Sequence, residues 1–485
     1  MEVLFSAATL ISDPSLLIML FLGVIVGLFF GVLPGLSGLS ALAVLLPFTF
    51  MFGDALPAIG FLLGAHAAVY AGGSVTSIVL GIPGSPANAA TVKEGHAMFL
   101  RGDGGEAVGA ALFASMCGGI VGAAVLVSLI PLLGPVVLSF AAPEIFLVAL
   151  LGIVWASVFS QGPLLATLAA AALGLLMSSF GYQRSTGVPR FWFDFDYLLD
   201  GMRLVPLVLG LFAVPEIVQL MQDRGTRMAG DFRIEWRALA RGVAAVCNRP
   251  LLFLRSTLIG VLVGIVPGVG GETAPFVAHA ASRPDRRTRA EVDGVIAPES
   301  SNNAKEGGSL VPTLALGIPG SASMAILLGA FMVFGLEPGP DFLSSHLDMV
   351  VGLGWILVFS NVVASILMVP LTFGLVRCIR LPGNRLAPIL VVLVVAGAYL
   401  SSKSLVDVVF VFAFGLLGLA MVRYEYSRPL LVLGFILGPI IETYLHISIR
   451  AYGVELFARP VAVVFMVLIV VAPFARLKRR RRTSQ

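Results

Sequence analysis

The sequence of 485 residues contains little charge and little cysteine. Only 12% of its residues are Asp, Glu, Lys or Arg, whereas about 25% is usual for a soluble globular domain. Its three cysteines, Cys117, Cys247 and Cys378, are scattered and form neither a disulfide framework nor a metal-ligand spacing. A charge-poor chain of this length that is 58% hydrophobic is typical of a polytopic membrane protein, not of a large soluble core.

Positive charge is absent from the beginning of the chain and concentrated in later segments. No Lys or Arg occurs before Lys93, whereas 224–255 contains seven Arg and 476–482 contains six basic residues. By the positive-inside rule these basic segments are cytoplasmic, and the N-terminus is expected on the opposite side of the membrane. We interpret the basic tail as a topology anchor, with no nucleic acid as partner. The N-terminal apolar run lacks a basic n-region and is too long for a signal peptide, so we expect no cleavage.

Glycine and proline are abundant inside the apolar sequence, and they form a pattern that occurs twice. Residues 27–38 read GLFFGVLPGLSG and residues 260–271 read GVLVGIVPGVGG. A second pair follows, GGSVTSIVLGIPGS at 72–85 and GGSLVPTLALGIPGS at 307–321, at an offset of 235 to 236 residues. Two unrelated patterns in the same order and at nearly the same offset indicate an internal duplication.

Several apolar blocks are too long for one membrane crossing and too short for two. At about 20 residues per crossing, the sequence predicts an all-α membrane protein with about 10–14 membrane segments, some of them re-entrant or broken. Block 251–281 has Arg-rich flanks, whereas block 16–52 has no Lys or Arg on either flank. We therefore expect two hairpins that enter from opposite faces, in inverted repeats. The predicted organisation is 1–222, first repeat; 223–250, cytoplasmic Arg-rich connector; 251–475, second repeat; 476–485, basic cytoplasmic tail.

Helix breaks in corresponding halves predict a substrate or ion site. Free N–H groups at a new helix start attract carboxylates, and free carbonyls with nearby hydroxyls can coordinate Na⁺. The candidates at the two Pro-Gly tips are Pro34, Gly35, Ser37, Gly38, Pro267, Gly268, Gly270 and Glu272. The candidates in the two GGS–IPG segments are Gly72, Gly73, Ser74, Thr76, Ser77, Pro83, Gly84, Gly308, Ser309, Pro319, Gly320 and Ser321. The alternative is close helix packing through small residues.

The polar stretch APESSNNAKEGG at 297–308 adds Glu299, Asn302 and Asn303 as candidates. Polar residues that enter an apolar block are expected to face a cavity, although a solvated loop with a helix cap is the alternative. Glu216, Asp407 and Glu442 are interpreted as interfacial or paired structural residues. The lone histidines His66 and His279 are interpreted as structural as well.

Enzyme activity is not expected. Gly35–Gly38 reads GLSG and fits the GxSG motif of rhomboid intramembrane proteases, but the duplicated segment Gly268–Gly271 reads GVGG and lacks the serine. The chain also lacks the GxxxxGK[ST] motif of nucleotide binding, so it does not itself hydrolyse ATP. We expect no cofactor, and a coupling ion that is Na⁺ or H⁺.

Long motifs across nearly the whole chain resemble the large membrane subunit of the tripartite tricarboxylate transporters, the TctA-like subunit. The resemblance is carried by GVLPGLSG (31–38), LLPFTF (45–50), the GGS and IPG run (72–84), RFWF…GLFAVPE (190–216), GIVPGVGG (264–271), APESSNNAKEGGSLVPTLALGIPGS (297–321), GLEPGP (335–340) and RPLLVLGFILGPIIE (428–442). The chain departs from the family after 271, where it is short and Arg-rich, and after Glu442, where Tyr444–His446 replaces an Arg-Arg pair.

The resemblance implies a secondary transporter of the bacterial inner membrane. It implies two protein partners, a small membrane subunit (TctB-like) and a periplasmic solute-binding protein (TctC-like) that delivers an organic carboxylate. It also implies coupling to a cation gradient, with alternating access across the lipid bilayer. An autonomous organic-anion carrier that needs no binding protein is the alternative.

Overall fold

The structure is a computed structural model that describes residues 9, 12–33, 36–137, 140–160, 163–183, 186–222, 235–266, 271–282, 291–378 and 383–483. The helices of the first half are α1 (Pro14–Val32), α2 (Gly38–Leu45), α3 (Ala55–Leu80), α4 (Ala89–Met98), α5 (Gly104–Val137), α6 (Ala142–Phe159), α7 (Leu164–Ser178), α8 (Leu204–Val208) and α9 (Val214–Gln222). A short antiparallel hairpin, β1 (Gly181–Tyr182) and β2 (Pro189–Arg190), lies between α7 and α8.

Helix α10 (Trp236–Cys247) lies in the predicted connector and leads into the second half. The helices of the second half are α11 (Pro250–Ile265), α12 (Ala274–Ser282), α13 (Asp293–Leu316), α14 (Ala322–Val333), α15 (Pro340–Ser345), α16 (Leu347–Cys378), α17 (Gly383–Ser402), α18 (Leu405–Arg423), α19 (Arg428–Tyr452) and α20 (Pro460–Thr483). The all-α polytopic fold is thereby confirmed. Helix α10 buries apolar residues, among them Leu239 and Val246, on one side.

The apolar helices include full-length spans and shorter segments. Among the described residues, seven helices are long and apolar enough to cross a membrane, or up to eight if the bent pair α10 and α11 counts as one. Six other apolar helices are shorter, at 10–17 residues. The sequence-based number of 10–14 included such broken segments, because turns inside an apolar block do not lower its hydropathy.

Each half packs its first helix against its third through glycines. A Cβ atom on Gly27 or Gly31 of α1 would collide with the backbone of α3, and a Cβ on Gly260 or Gly264 of α11 would collide with the backbone of α13. Small residues let membrane helices approach until their backbones touch. The two seams involve equivalent glycines, so the structure repeats the duplication seen in the sequence.

The long helices α3 and α13 end in the same way. Each stops at a glycine in the left-handed conformation, Gly81 with φ 69° and Gly317 with φ 67°, where residues with a Cβ are strained. Past these caps, a Cβ on Gly84 would lie 2.5 Å from the Cα of Gly73, and a Cβ on Gly320 would lie 2.7 Å from the Cα of Ser309.

The two halves can be aligned by their GGS motifs or by equivalent positions in space, and the two alignments differ by one residue. Gly84 and Gly320 are 236 positions apart, and so are their neighbours Gly73 and Ser309. The letters instead align Gly73 with Gly308. The structural offset is already 236 at Ala65 and Ser301, so it is constant along α3 and α13, and Ser74 has Leu310 as its structural equivalent.

Candidate functional site

Two stripes of polar side chains lie along α3 and α13. In α3 the stripe contains His66, Tyr70, Ser74 and Ser77; in α13 it contains Glu299, Asn302, Glu306, Ser309 and Thr313. Residues three and four apart lie on one face of a helix, so each stripe is a single face. All nine side chains belong to buried residues, although the helices around them are apolar.

The stripes contact each other at two places, which shows that the helices run in opposite directions. His66 pairs with Glu306, and Ser74, two turns further along α3, pairs with Glu299, which lies two turns earlier in α13. The residue number in α13 therefore falls as the number in α3 rises. The two equivalent helices of the duplication are antiparallel at this contact.

The first contact is an oxygen-rich cluster around the buried carboxylate of Glu299. Its Oε2 accepts a hydrogen bond from Ser74 Oγ at 2.5 Å, and its Oε1 accepts one from Thr91 Oγ1 at 2.5 Å. Asn88 Nδ2 donates to Ser74 Oγ at 3.0 Å and lies 3.4 Å from Oε1. Ser85 Oγ donates to Asn88 Oδ1 at 2.6 Å. The break after α3 thus brings α4 and its preceding turn onto a carboxylate from the other half.

The second contact is a buried ion cluster. Glu306 Oε2 lies 3.0 Å from His66 Nε2, and Glu306 Oε1 lies 3.0 Å from Lys305 Nζ. The ammonium of Lys305 also lies 3.9 Å from the centre of the Tyr70 ring, within cation–π range. Glu272, at the start of the second half of the hairpin, is exposed and interacts electrostatically with Lys305. Lys305 itself is 1% exposed.

Several polar atoms beside these clusters lack a hydrogen-bond partner among the described residues. They are His66 Nδ1, both side-chain amide atoms of Asn302, Asn303 Oδ1, Ser77 Oγ and Ser309 Oγ. Folded proteins leave few buried polar atoms unpaired, because each one costs about 1–3 kcal/mol. His66 and Asn302 are equivalent positions of the duplication, 236 residues apart. Apart from Asn303 Oδ1, these unpaired atoms belong to the two facing stripes.

A third polar group connects the first hairpin to α9. Ser37 Oγ donates to Glu216 Oε1 at 3.2 Å, and Ser37 also caps α2 by accepting from Ser40 N at 3.2 Å. Arg428 interacts electrostatically with Glu216, and its Nη1 donates to the Leu211 carbonyl at 3.0 Å. Gly38 adjoins the ion cluster, because a Cβ there would lie 3.0 Å from the unpaired Nδ1 of His66.

The predicted site residues fall into distinct structural roles. Ser74, Glu299, Asn302, Ser77, Ser309 and Glu272 lie on or beside the facing stripes, as described above. Gly72, Gly73, Gly84, Gly308 and Gly320 lie where backbones approach closely. Pro83 and Pro319 lie in the turns that follow α3 and α13.

Three hydroxyl or amide candidates make local hydrogen bonds. Thr76 Oγ1 donates to the carbonyl of Gly72 at 3.0 Å and lies 3.3 Å from the carbonyl oxygen at the end of α1. Ser321 Oγ caps α14 by accepting from Met324 N. Asn303 donates to Asn361 of α16. The tip residues Pro34, Gly35, Pro267, Gly268 and Gly270 lie outside the described residues.

The sequence interpretation missed Lys305, Glu306 and Tyr70, and it treated His66 as structural. Asn88, Thr91 and Arg428 were missed as well. The signal that could have found the first group is the spacing of polar residues three and four apart inside apolar helices. For Asn88 and Thr91 the sequence offers no comparable signal, because a turn brings them to the site.

Comparison with known proteins agrees with this architecture. The sequence matches the Tripartite tricarboxylate transporter TctA family over residues 17–433. It is 32% identical over 473 residues to the "Uncharacterized 52.8 kDa protein in TAR-I ttuC' 3'region" of Agrobacterium vitis, covering 95% of this chain and 94% of that protein. An "Uncharacterized protein in TAR-II ttuC' 3'region" of the same organism is 34% identical over 191 residues, or 38% of this chain and 79% of its own length. No solved structure matches the chain.

The family match covers most of the chain, and the fold is that of a helical protein with several membrane spans. The chain therefore belongs to the tripartite tricarboxylate transporter TctA family and is a multi-pass membrane component of a transporter.

Proposed function

We propose that the chain is the large permease subunit of a binding-protein-dependent secondary transporter that imports tricarboxylates or related carboxylates. One observation carries the proposal: the unpaired polar atoms of His66 and Asn302 lie at equivalent positions on two antiparallel broken helices. Transporters built from inverted repeats bind their substrate between such helices, near the middle of the membrane. The antiparallel contact between α3 and α13 supports an inverted arrangement of the halves.

The substrate class follows from the charges at the proposed site. Lys305 supplies a buried positive charge, and the amide of Asn302 supplies unused donors for a carboxylate. A carboxylate that reaches Lys305 would meet the negative charges of Glu306 and Glu272. Binding of a di- or tricarboxylate therefore requires that positive charge enters together with the substrate.

Cation coupling is proposed for the same reason. Import of an anion against a negative-inside potential is disfavoured by about 2.3 kcal/mol per charge per 100 mV. The oxygen atoms around Glu299 are of the type that Na⁺ prefers, whereas the pair of His66 and Glu306 is suited to carrying a proton. We propose Na⁺ or H⁺ as the co-transported cation; the cations must exceed the charge of the substrate in number for the membrane potential to assist import.

The partners and the orientation are part of the proposal. The family name implies a tripartite system, and we propose a small membrane subunit together with a periplasmic binding protein as the other two components. Four ion pairs join segments next to the basic loops, among them Arg101–Glu291 and Arg249–Asp293. The Arg and Lys content of 224–255 and 476–482 supports a cytoplasmic location for the basic loops, in a bacterial inner membrane, with the C-terminus inside.

The test is carboxylate uptake in proteoliposomes that contain this chain and its small subunit. Purified binding protein is added outside, with an inward Na⁺ gradient, a pH gradient or neither, and citrate and succinate serve as probes. We expect uptake that requires the binding protein and one of the two gradients. Uptake without the binding protein would indicate an autonomous carrier, and absence of uptake for every carboxylate would refute the substrate class.

A variant at the site separates binding from folding. Asn302→Leu removes two unpaired polar atoms and keeps the number and branching of the side-chain heavy atoms, so we expect unchanged or higher thermal stability together with loss of uptake. Gln219→Leu, on the exposed side of α9, is the matched control and should transport normally. Normal uptake by Asn302→Leu would show that this amide does not take part in substrate binding.

A further inference from the structure

A cavity of about 400 Å³ lies apart from the facing stripes, between the ends of α7 and α14, the β-hairpin and the middle of α19. Small-molecule sites typically have volumes of about 300–1,000 Å³. Its lining includes Ser178, Met332 and the three charged residues Arg190, Asp200 and Glu442. The cavity is therefore large enough for a small organic acid and has one cationic group to hold it.

Arg190 and Glu442 form a two-pronged pair in this cavity. Arg190 Nη1 donates to Glu442 Oε1 at 2.7 Å, and Nη2 donates to Oε2 at 2.9 Å. The two side chains are 28% and 30% exposed, so both can be reached from the cavity. The buried Nε of Arg190 has no hydrogen-bond partner in the part of the chain that the structure describes. The guanidinium thus already binds a carboxylate through two N–H groups, and its Nε–H is a further, unpaired donor.

The cavity lies toward the face opposite the basic loops. Helix α19 begins at Arg428, close to Arg423, and the positive-inside rule assigns a short loop between two such arginines to the cytoplasm. Glu442 is fourteen residues further along, about 21 Å at 1.5 Å per residue. The pair therefore lies near the outer side of a membrane that is about 30 Å thick. Arg190 begins one of the motifs quoted above and Glu442 ends another, so two distant motifs meet here.

We propose that this cavity is an outer receiving site for the carboxylate substrate, in which the incoming carboxylate replaces Glu442 on Arg190. The inference rests on the proposed import of carboxylates. Exchange of one carboxylate for another keeps the two parallel hydrogen bonds of the guanidinium, so the geometry of recognition is already formed. The released Glu442 then lies close to the bound anion and repels it. That repulsion favours onward movement toward Lys305 instead of retention.

A purely structural pair makes a different prediction from a receiving site. If Arg190 and Glu442 only hold the β-hairpin against α19, removal of either charge should impair stability and transport to the same extent. If Glu442 competes with the substrate, the two removals should have opposite effects on apparent affinity. Arg190→Gln removes the receptor, whereas Glu442→Gln removes its competitor.

The first experiment measures the carboxylate concentration that gives half-maximal uptake in the reconstituted complex. We expect Arg190→Gln to raise it on the order of tenfold, the size of one lost charge-assisted hydrogen bond, and Glu442→Gln to lower it several-fold. Arg459→Gln removes another Arg–Glu pair, outside the cavity lining, and should leave the value unchanged. Equal increases in Arg190→Gln and Glu442→Gln, or no change in either, would overturn the proposal.

The second experiment detects occupancy without transport. Met332→Cys places a thiol in the cavity wall, in a chain whose Cys117, Cys247 and Cys378 are replaced by Ala. We expect a membrane-impermeant thiol reagent to react from outside, citrate or succinate to slow the reaction, and Arg190→Gln to abolish that protection. If uptake occurs but no carboxylate protects the thiol, this inference fails while the proposed function stands. If neither uptake nor protection occurs with any carboxylate, the proposed function fails first.

Discussion

Replacement of Lys305 by methionine tests whether the buried ion cluster serves folding, substrate binding or both. The ammonium lies 3.0 Å from Glu306, a separation at which two unit charges attract by roughly 5–6 kcal/mol at an effective dielectric constant of about 20. Removal of one partner from a buried pair costs about 3–5 kcal/mol, because the remaining charge is left uncompensated. His66 still contacts Glu306, so we expect a loss of about 3 kcal/mol for Lys305→Met.

The double variant Lys305→Met with Glu306→Gln should recover most of this stability. It removes the stranded charge, and a glutamine at 306 can still accept a hydrogen bond from His66. Methionine also keeps a favourable contact with the ring of Tyr70. Uptake should not recover, because the positive charge proposed to hold the substrate is gone. Stability and transport are therefore expected to separate in the double variant.

Unfolding by SDS titration in mixed micelles, followed through the four tryptophans, measures the stability, and proteoliposome uptake measures transport. Arg101→Met is the control, because it removes an exposed ion pair and should change stability by no more than about 1 kcal/mol. A Lys305→Met protein as stable as the wild type would refute the energetic argument. Wild-type uptake by the double variant would show that Lys305 does not hold the substrate.

Three other predictions follow from the packing, the oxygen cluster and the proposed orientation. Gly264→Val should destabilise the protein by several kcal/mol in the same SDS titration, because the new side chain meets the backbone of α13. Gly352→Ala is the control: a Cβ there meets nothing within 4 Å, so the variant should be as stable as the wild type or slightly more stable. Glu299→Ala should lower stability by about 3–5 kcal/mol and abolish uptake, since it leaves buried donors without an acceptor; a stable, active variant would contradict this. Asp13→Cys should react with an impermeant thiol reagent from outside only and Arg283→Cys from inside only; labelling of both from one side would refute the inverted arrangement.

The helix breaks could be predicted from sequence because glycine and proline act locally. Gly81 and Gly317 end their helices through their own backbone conformation, and no distant residue is needed to recognise them. The duplication likewise required only a comparison of two stretches of letters. The exact register did not follow, since the pair Gly73 and Gly308 matches by letter while Gly73 and Ser309 match in space.

The ion cluster could not be predicted in the same way. His66 and Glu306 are 240 residues apart, and neither neighbourhood in the sequence reveals the other. The segment around Glu299 is rich in polar residues and contains a proline, Pro298. Both features suggest a solvated loop. In the structure α13 continues through Pro298, and its buried carboxylates Glu299 and Glu306 meet partners from the other half.

The two halves differ in which of them carries the charged residues of the site, and this difference has an evolutionary consequence. Leu63, Val69 and Tyr70 occupy the positions equivalent to Glu299, Lys305 and Glu306, so the charges of these pairs belong to one copy alone. The other copy supplies the hydroxyl and imidazole groups that satisfy them. Two copies of either half would leave charges stranded or donors without acceptors. The halves have become mutually dependent, so each constrains which mutations the other can accept, and neither can now replace its counterpart by recombination.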